Sequence, residues 1–413
     1  MSGLHEDPVA RIAPAPSMTD HAARAVVAAL IADGAEVRFV GGCVRDALRG
    51  AEVSDVDLAT PDPPETVLAL LARAGLKGVP TGIEHGTVTA VADGRPFEIT
   101  TLRLDLATDG RYAEVAFTDD WRADAARRDF TFNAMSLSHQ GDLYDYFGGR
   151  EDLHAGRVRF VGQAERRIAE DYLRVLRFFR FLARFGHGAP DAEALAACAA
   201  AAGSLGRLSV ERVRTELMKL LAAPAPVPAL RVMAEIGVLP TVLPEAGPPD
   251  TLMQLCGIDD RDALRRLAAL IGGNGEAVGR RLKMANAEIA RLARLAPPAR
   301  ALDAGLDVAG QRQALYDLGA DLFRDLVLLG WAADRKNRAP AWRAMLDTAN
   351  AWEEPALPVR GGDVTAMGVP GGPQVGRFVA AVEAWWRARD FRPDREACLE
   401  VVRALVAGEN VDP

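Results

Sequence analysis

The sequence predicts an α+β chain: a small mixed-sheet head followed by an all-helical neck, body and tail. Short alternating runs such as Glu36–Val40, Thr87–Val91 and Phe97–Thr101 recur only near the start, divided by Gly, Pro and Asp turns. From Ala164 onward, apolar residues recur at helical spacing instead. Ala, Leu and Arg are plentiful while aromatic residues make up 6%, a mixture that favours helices.

The bulk numbers set limits. A chain of 413 residues with 49% hydrophobic content has room for roughly two or three domains with buried cores. The net charge of −8 excludes a polybasic protein, so RNA binding requires a local basic face. Cys43, Cys198, Cys256 and Cys398 show no zinc spacing, as expected of reduced thiols in a cytoplasmic protein. Residues 1–18 are expected to be a flexible N-terminus, and Met1–Pro16 lacks the apolar core of a signal peptide. No apolar run is long enough to predict a membrane span. No protein partner is evident.

The head is expected over residues 19–160. Thr19 and Asp20 are candidate caps for a first helix ending near Gly34. The strand Glu36–Val40 then meets Gly41 and Gly42, followed by a helical run with Arg45 and Asp46 in its first turn. Glycine there lets backbone N–H groups face a ligand without a Cβ in the way. The positive end of a helix dipole favours phosphate at such a place. Asp55 and Asp57 follow two apart in an extended segment, so their side chains share a face. Such a pair repels unless a cation intervenes. A hard divalent metal, Mg²⁺ or else Mn²⁺, suits it and keeps positions open for phosphate. These two aspartates are therefore the candidate catalytic and metal-binding residues, for phosphoryl or nucleotidyl transfer.

Thr60–Glu65 is a turn feeding a helix over Glu65–Ala74, with Val67, Leu70 and Leu71 on its apolar stripe. The strands Thr87–Val91 and Phe97–Thr101 flank the hairpin signal Ala92–Arg95. Glu98 is either a third metal carboxylate or a solvated strand charge. Residues 108–124 are charged and aperiodic, which predicts a mobile loop. Arg127 and Arg128 stand before a short helical run, where arginine points to an anion. Asp129 and Asn133, four apart, would share one face of that helix. A Gly148-Gly149 turn after a strand closes the head.

The neck is expected over 161–222, with one long helix from Ala164 to Phe185 carrying its apolar side on Ile168, Leu173, Leu176 and Phe179. Six arginines stand against two acids between Arg166 and Arg184. Asp171, Arg174 and Arg177 recur at i, i+3 and i+6. One reading is a helix with internal salt bridges. The other is a base reader. A carboxylate only accepts and a guanidinium only donates. Side by side they match the amino group and bare ring nitrogen of cytosine and adenine, and mismatch guanine and uracil. An unmatched polar pair in a closed pocket is costly, so CTP and ATP would be admitted and GTP and UTP refused. The body and tail, 223–413, are helical after the loop Ala223–Pro228. Arg280–Lys283 is expected to open a helix, and Gly371-Gly372 to precede one near Val375, as an RNA phosphate contact or a tight connection.

Taken together, Gly41-Gly42-x-x-Arg45-Asp46 with Asp55-x-Asp57, Arg127-Arg128-Asp129-Phe130-Thr131-x-Asn133-Ala134, the Gly148-Gly149 turn, Glu170-Asp171-x-x-Arg174 and Arg212-x-x-x-Glu216 resemble five ordered motifs. They are those of class II CCA-adding tRNA nucleotidyltransferases and bacterial poly(A) polymerases, in the polymerase β superfamily. The resemblance implies a nucleotidyltransferase head, a neck that reads the base and a tRNA-binding body and tail. It implies triphosphate contacts from Gly41, Gly42, Arg45, Arg128 and Asn133, and sugar contact from Asp129. Base reading falls to Asp171 and Arg174, with Arg177 in the same motif; Arg212 and Glu216 brace the neck. The substrates implied are tRNA, CTP and ATP. Poly(A) polymerase, or A-only or CC-only addition, stays open as an alternative. So does a non-catalytic RNA-binding protein, against which stand both aspartates and both glycines. With six scattered histidines and no His-Asp pair, no appended metal phosphohydrolase module is expected.

Overall fold

The computed structural model describes residues 7–33, 36–109, 112–296, 302–336 and 338–409, with backbone alone for 105–109 and 112–114. The chain forms two compact units, divided between Ala246 and Gly247.

The first unit begins with β1 (Ala10–Arg11), α1 (Pro16–Thr19), α2 (His21–Leu30), β2 (Arg38–Val40), α3 (Gly42–Leu48), β3 (Asp57–Thr60), α4 (Pro64–Arg73), β4 (Lys77–Gly82), β5 (Thr87–Ala92) and β6 (Arg95–Thr101). It continues through β7 (Arg103–Asp109), β8 (Tyr112–Phe117), α5 (Trp121–Ala126), β9 (Ser136–Ser138), β10 (Asp142–Tyr144) and α6 (Gly149–Ala155). An eight-stranded sheet runs β1-β10-β9-β2-β3-β6-β5-β4. Its β3–β6 pair is parallel, setting Asp57 opposite Glu98, while the other pairs are antiparallel. The sheet is thus mixed, as expected. Asp20, rather than Thr19, caps α2 by accepting the Ala23 N–H at 2.9 Å. The expected stop at Gly34 lies outside the described residues.

Two stretches of this unit differ from expectation. Of residues 1–18, expected to be flexible, 1–6 lie outside the described residues; the rest contributes β1, whose Ala10 and Arg11 pair with Leu143 and Asp142, and buries Met18. The expected mobile loop is a β-hairpin instead, with Arg103–Asp109 paired against Tyr112–Phe117; Gly110 and Arg111 lie outside the described residues. This ribbon forms a sheet of its own, and Leu104 and Phe117 on it are exposed. The sequence from Thr108 to Asp124 lacks the alternating pattern by which a sequence reading detects a strand.

The rest of this unit comprises α7 (Ala164–Glu170), α8 (Leu173–Phe185), α9 (Ala192–Ala201), α10 (Val210–Leu221), α11 (Pro226–Glu235) and α12 (Val238–Val242). The single neck helix is broken at Asp171, whose φ of −155° is extended. Its Oδ1 accepts the Leu173 N–H at 3.0 Å, and this local bond competes with the helical one. Ile168, Leu173, Leu176 and Phe179 are buried, as their spacing predicts. Phe178, Phe181 and Phe185 of α8 join Phe130, Phe132 and Phe160 in a ring cluster with centroids 4.8–5.9 Å apart. Such pairs add about 0.5–1.5 kcal/mol each beyond the area they bury, so α8 is fastened to the segment Phe130–Asn133. The loop expected at Ala223–Pro228 is not a boundary: it lies within this unit, and its last three residues, Pro226–Pro228, open α11, which buries Val227, Ala229, Leu230 and Met233.

The second unit is helical: α13 (Asp250–Leu255), α14 (Ala263–Leu270), α15 (Gly275–Arg281), α16 (Asn286–Leu295), α17 (Val308–Leu318), α18 (Ala320–Ala333), α19 (Ala339–Asn350), α20 (Gly361–Ala366), α21 (Pro373–Ala388) and α22 (Arg395–Val406). Arg280 and Arg281 close α15 rather than opening a helix, and Lys283 has φ +50°. Gly372, at φ +147°, does precede α21. No described helix is long and apolar enough to cross a membrane.

Candidate active site

The site is assembled where β2 ends. Gly41 has φ +72°, and a Cβ there would lie 3.2 Å from Arg128 Nη1. Only glycine allows both the turn and the close approach of that arginine. In α3 Arg45 is buried, and falls in the helix's last turn rather than its first; it donates to Asn133 Oδ1 at 2.8 Å and to both oxygens of Asp46 at 3.0 and 2.7 Å. Behind it, Arg38 is sandwiched between the Trp121 and Tyr144 rings at 4.2 and 3.5 Å, which ties β2 to the start of α5.

Asp57 opens β3 beside Glu98 of β6. Burial, and then the charge of Glu98, push its carboxyl up to about 6; Asp55 adds to the rise and Arg128 opposes it. No donor among the described residues reaches the Asp57 carboxylate. Carboxylates whose charges crowd one another suit a hard divalent cation. Among the described residues, however, no three His, Cys, Asp or Glu side chains are grouped so that they could hold a metal ion between them. Substrate oxygens would have to finish the coordination shell. Asp55 is exposed and, among the described residues, accepts a hydrogen bond from Ser54 Oγ alone, at 3.3 Å.

Arg127 and Arg128 follow α5 and precede a short helical run that is 3₁₀, Thr131–Asn133. Asp124, buried in α5, holds both: its oxygens accept from Arg127 at 2.9 and 2.7 Å, and from Arg128 at 3.2 Å. Burial opposes ionisation of Asp124, but the two guanidiniums outweigh it and hold the carboxyl below its ordinary range. Sequence reading missed this residue by assigning it to a loop. An acid three and four positions before two arginines was the signal available.

Asp129 and Asn133 do meet, at 3.0 Å, across a 3₁₀ turn at Thr131–Asn133 rather than along an α-helix. Asp129 is buried and saturated. Oδ1 accepts from the Phe130 N–H and Asn133, and Oδ2 accepts from Arg177 at 2.7 and 2.5 Å.

The break after α7 changes the neck geometry. Asp171 and Arg174 each bond elsewhere. Asp171 Oδ2 accepts from Arg212 at 2.6 Å. Arg174 donates to Glu170 at 2.6 Å, to the Arg167 carbonyl at 2.8 Å and to the Arg127 carbonyl at 3.2 Å. Glu216 accepts from Arg180 at 2.6 Å. Arg212 and Glu216 thus both reach the neck helices, and Arg212 does so through the candidate base reader.

One cavity of about 460 Å³ gathers most of these groups. Gly41, Gly42, Arg45, Asp57, Arg128, Asp129 and Asn133 border it from the head, and Asp171, Arg174 and Arg177 from the neck. Arg127, Arg180, Phe181 and Arg212 complete it, while Asp55 is not in its wall. Ten of the eleven expected site residues therefore face a single space.

The family model described as "Poly A polymerase head domain" matches residues 37–159. That described as "Probable RNA and SrmB- binding site of polymerase A" matches 189–247. A Danio rerio protein named CCA tRNA nucleotidyltransferase 1, mitochondrial, is 35% identical over 382 residues, covering 89% of this chain and 87% of that one. The CCA-adding enzyme of Geobacillus stearothermophilus is 40% identical over 211 residues, 49% of this chain and 50% of that one. Among solved structures, the Bacillus stearothermophilus CCA-adding enzyme in complex with CTP aligns with a TM-score of 0.76 at 27% identity. The alignment covers 95% of this chain and 98% of that one.

Proposed function

This chain belongs to the CCA tRNA nucleotidyltransferase family, and we propose on that premise that it adds C, C and A to the 3′ end of tRNA. It draws on CTP and ATP, needs no nucleic-acid template and releases pyrophosphate. The observation that supports this best is the shared cavity. A glycine turn and arginines suited to a triphosphate, an acid suited to a metal, and an acid–arginine couple suited to a base all border it.

In this reading Gly41 and Gly42 offer backbone N–H groups to the phosphates, with Arg45 and Arg128 adding charge and Asn133 fixing Arg45. Asp57 and Asp55 hold a divalent cation, Mg²⁺ or alternatively Mn²⁺. When bound, that cation neutralises charge at the reacting phosphates and acidifies the attacking 3′-hydroxyl. Asp129 meets the sugar by releasing one Arg177 bond, because it has no free lone pair otherwise. Among the described residues, Asp171 keeps an unused lone pair on each oxygen, and Arg174 keeps an unused Nε–H. The couple can therefore address a cytosine or adenine edge without leaving Arg212 or Glu170. Residues 19–160 then form the nucleotidyltransferase head, 161–222 the base-reading neck, and 223–413 the tRNA-binding remainder. Four unpaired thiols suit a reducing compartment such as the cytoplasm.

The test is incubation with tRNA lacking its CCA end, giving each nucleotide singly and then both. Two additions from CTP followed by one from ATP is the expected pattern. Long runs from ATP alone would instead favour a poly(A) polymerase, the activity printed in the head-domain description. No incorporation from any nucleotide would leave a non-catalytic RNA binder.

A further inference from the structure

A second cavity, about 810 Å³, lies beside the far end of α3. Its floor is apolar, made by Ile12, Leu48 and Leu153, and its rim carries Arg49, Arg150 and His154. The rim acid, Glu151, is already engaged by Arg157 at 2.9 Å. Arg49 and Arg150 are exposed, and neither has a carboxylate partner among the described residues.

Arg49 also belongs to a guanidinium cluster. Arg45, Arg49 and Arg184 all stand over the Phe185 ring, at 5.1, 4.3 and 5.1 Å from its centroid. Among the described residues one carboxylate serves this cluster: Asp46, 2.7 Å from Arg45 and 3.8 Å from Arg184. Burial first, and then the charges of Arg45 and Arg49, pull Arg184 below its ordinary range against Asp46. Stacked guanidiniums in excess over acids leave planar N–H edges for phosphate oxygens.

We propose that this groove and its cluster bind backbone phosphates of the RNA strand being extended, a few nucleotides behind its 3′ end. The proposal rests on the reading of the chain as a tRNA nucleotidyltransferase. The spacing comes from α3 itself. Its seven residues, Gly42–Leu48, span about 10 Å between the glycine turn and the groove. That is about three nucleotides at ~3.4 Å per stacked nucleotide. The occupant is RNA because the unneutralised charge is positive on a chain whose net charge is −8, and because the established substrate must enter beside the glycine turn.

The test compares wild type, Arg49→Gln/Arg150→Gln and the charge-matched control Arg24→Gln/Arg73→Gln. The dissociation constant of tRNA lacking CCA is measured across a KCl series, together with the KM for CTP. Losing two phosphate contacts lowers the slope of log Kd against log salt by about two and weakens binding at least tenfold near 0.1 M salt. The KM for CTP stays within twofold. An unchanged slope and affinity, an equal change in the control pair, or a raised KM for CTP with tRNA affinity intact would each overturn the proposal. Failure of the parent reading is seen separately, as wild-type protein that adds no nucleotide to tRNA at all.

Discussion

The Asp129–Arg177 pair makes an asymmetric prediction. Asp129 has 9% of its side chain exposed and Arg177 has 33%. Arg177→Met leaves a buried carboxylate with two of its four donors gone. Breaking a buried pair this way costs about 3–5 kcal/mol, and the partial exposure of Arg177 places the value near 3. Asp129→Asn leaves a guanidinium that can turn to water, so it costs about 1–2 kcal/mol. For a unit of this size 1 kcal/mol shifts the melting temperature by about 2–4 °C, so Arg177→Met should lower it by roughly 6–12 °C. Trp121 is the only tryptophan before Trp331, so its fluorescence reports unfolding of the first unit. Acid narrows the gap. Burial opposes ionisation of Asp129, but Arg177, Asn133 and the Phe130 N–H hold its carboxyl below the ordinary value. Its stabilisation is complete above the unfolded pKa of about 3.9 and is lost as pH falls through that value toward the folded one. Arg177→Met has already lost much of this term, so the two proteins should converge between roughly pH 5 and 3. Equal losses from the two substitutions, or a gap that does not narrow with acid, would refute the reasoning.

Other substitutions bear on the remaining groups. Asp57→Asn should abolish CTP incorporation yet raise the melting temperature in EDTA, because it removes a crowded charge that burial and Glu98 disfavour; calorimetry beside a turnover assay checks both. Gly41→Ala forces φ +72° on a residue with a Cβ 3.2 Å from Arg128. A drop of at least tenfold in kcat/KM for CTP should accompany a stability loss of about 1–2 kcal/mol. Asp124→Asn should raise KM for CTP and ATP alike by about tenfold, since the triphosphate-side Arg128 and its neighbour Arg127 lose their anchor. Asp171→Ala should cut the preference for CTP over UTP by about a hundredfold or more, read from single-nucleotide incorporation.

Legibility in the sequence followed the range of the interaction. The glycine turn and the strand opening at Asp57 are local patterns and form where they were read; the segment from Arg127 to Asn133 keeps the Asp129–Asn133 contact but in a 3₁₀ turn. The hairpin at Arg103–Phe117 was hidden because its charged stretch shows no strand alternation. The break at Asp171 was hidden because one side chain bonding to the Leu173 N–H decides it, against a background of strong helix formers. Arg212 on Asp171 and Arg177 on Asp129 connect residues 41 and 48 positions apart. Spacing along the chain carries no signal for such pairs; only the packing of α8 and α10 against the head reveals them.

Those pairings bear on how the site tells one anion from another. Every arginine in the cavity wall is already matched: Arg45 by Asp46, Arg127 and Arg128 by Asp124, Arg174 by Glu170, Arg177 by Asp129, Arg180 by Glu216 and Arg212 by Asp171. Seven guanidiniums held by six carboxylates form a rigid set of donors with little net charge. A stray stretch of RNA backbone gains little by entering, whereas a ligand whose acceptors match the fixed N–H directions binds at little reorganisation cost. The groove at Arg49 and Arg150 follows the opposite rule, with guanidiniums left unneutralised, where attraction is strong, salt-sensitive and indifferent to sequence. Raising salt should therefore weaken tRNA binding far more steeply than CTP binding. Parallel titrations of the two ligands across one KCl series would show equal slopes if the cavity's arginines were not neutralised in advance.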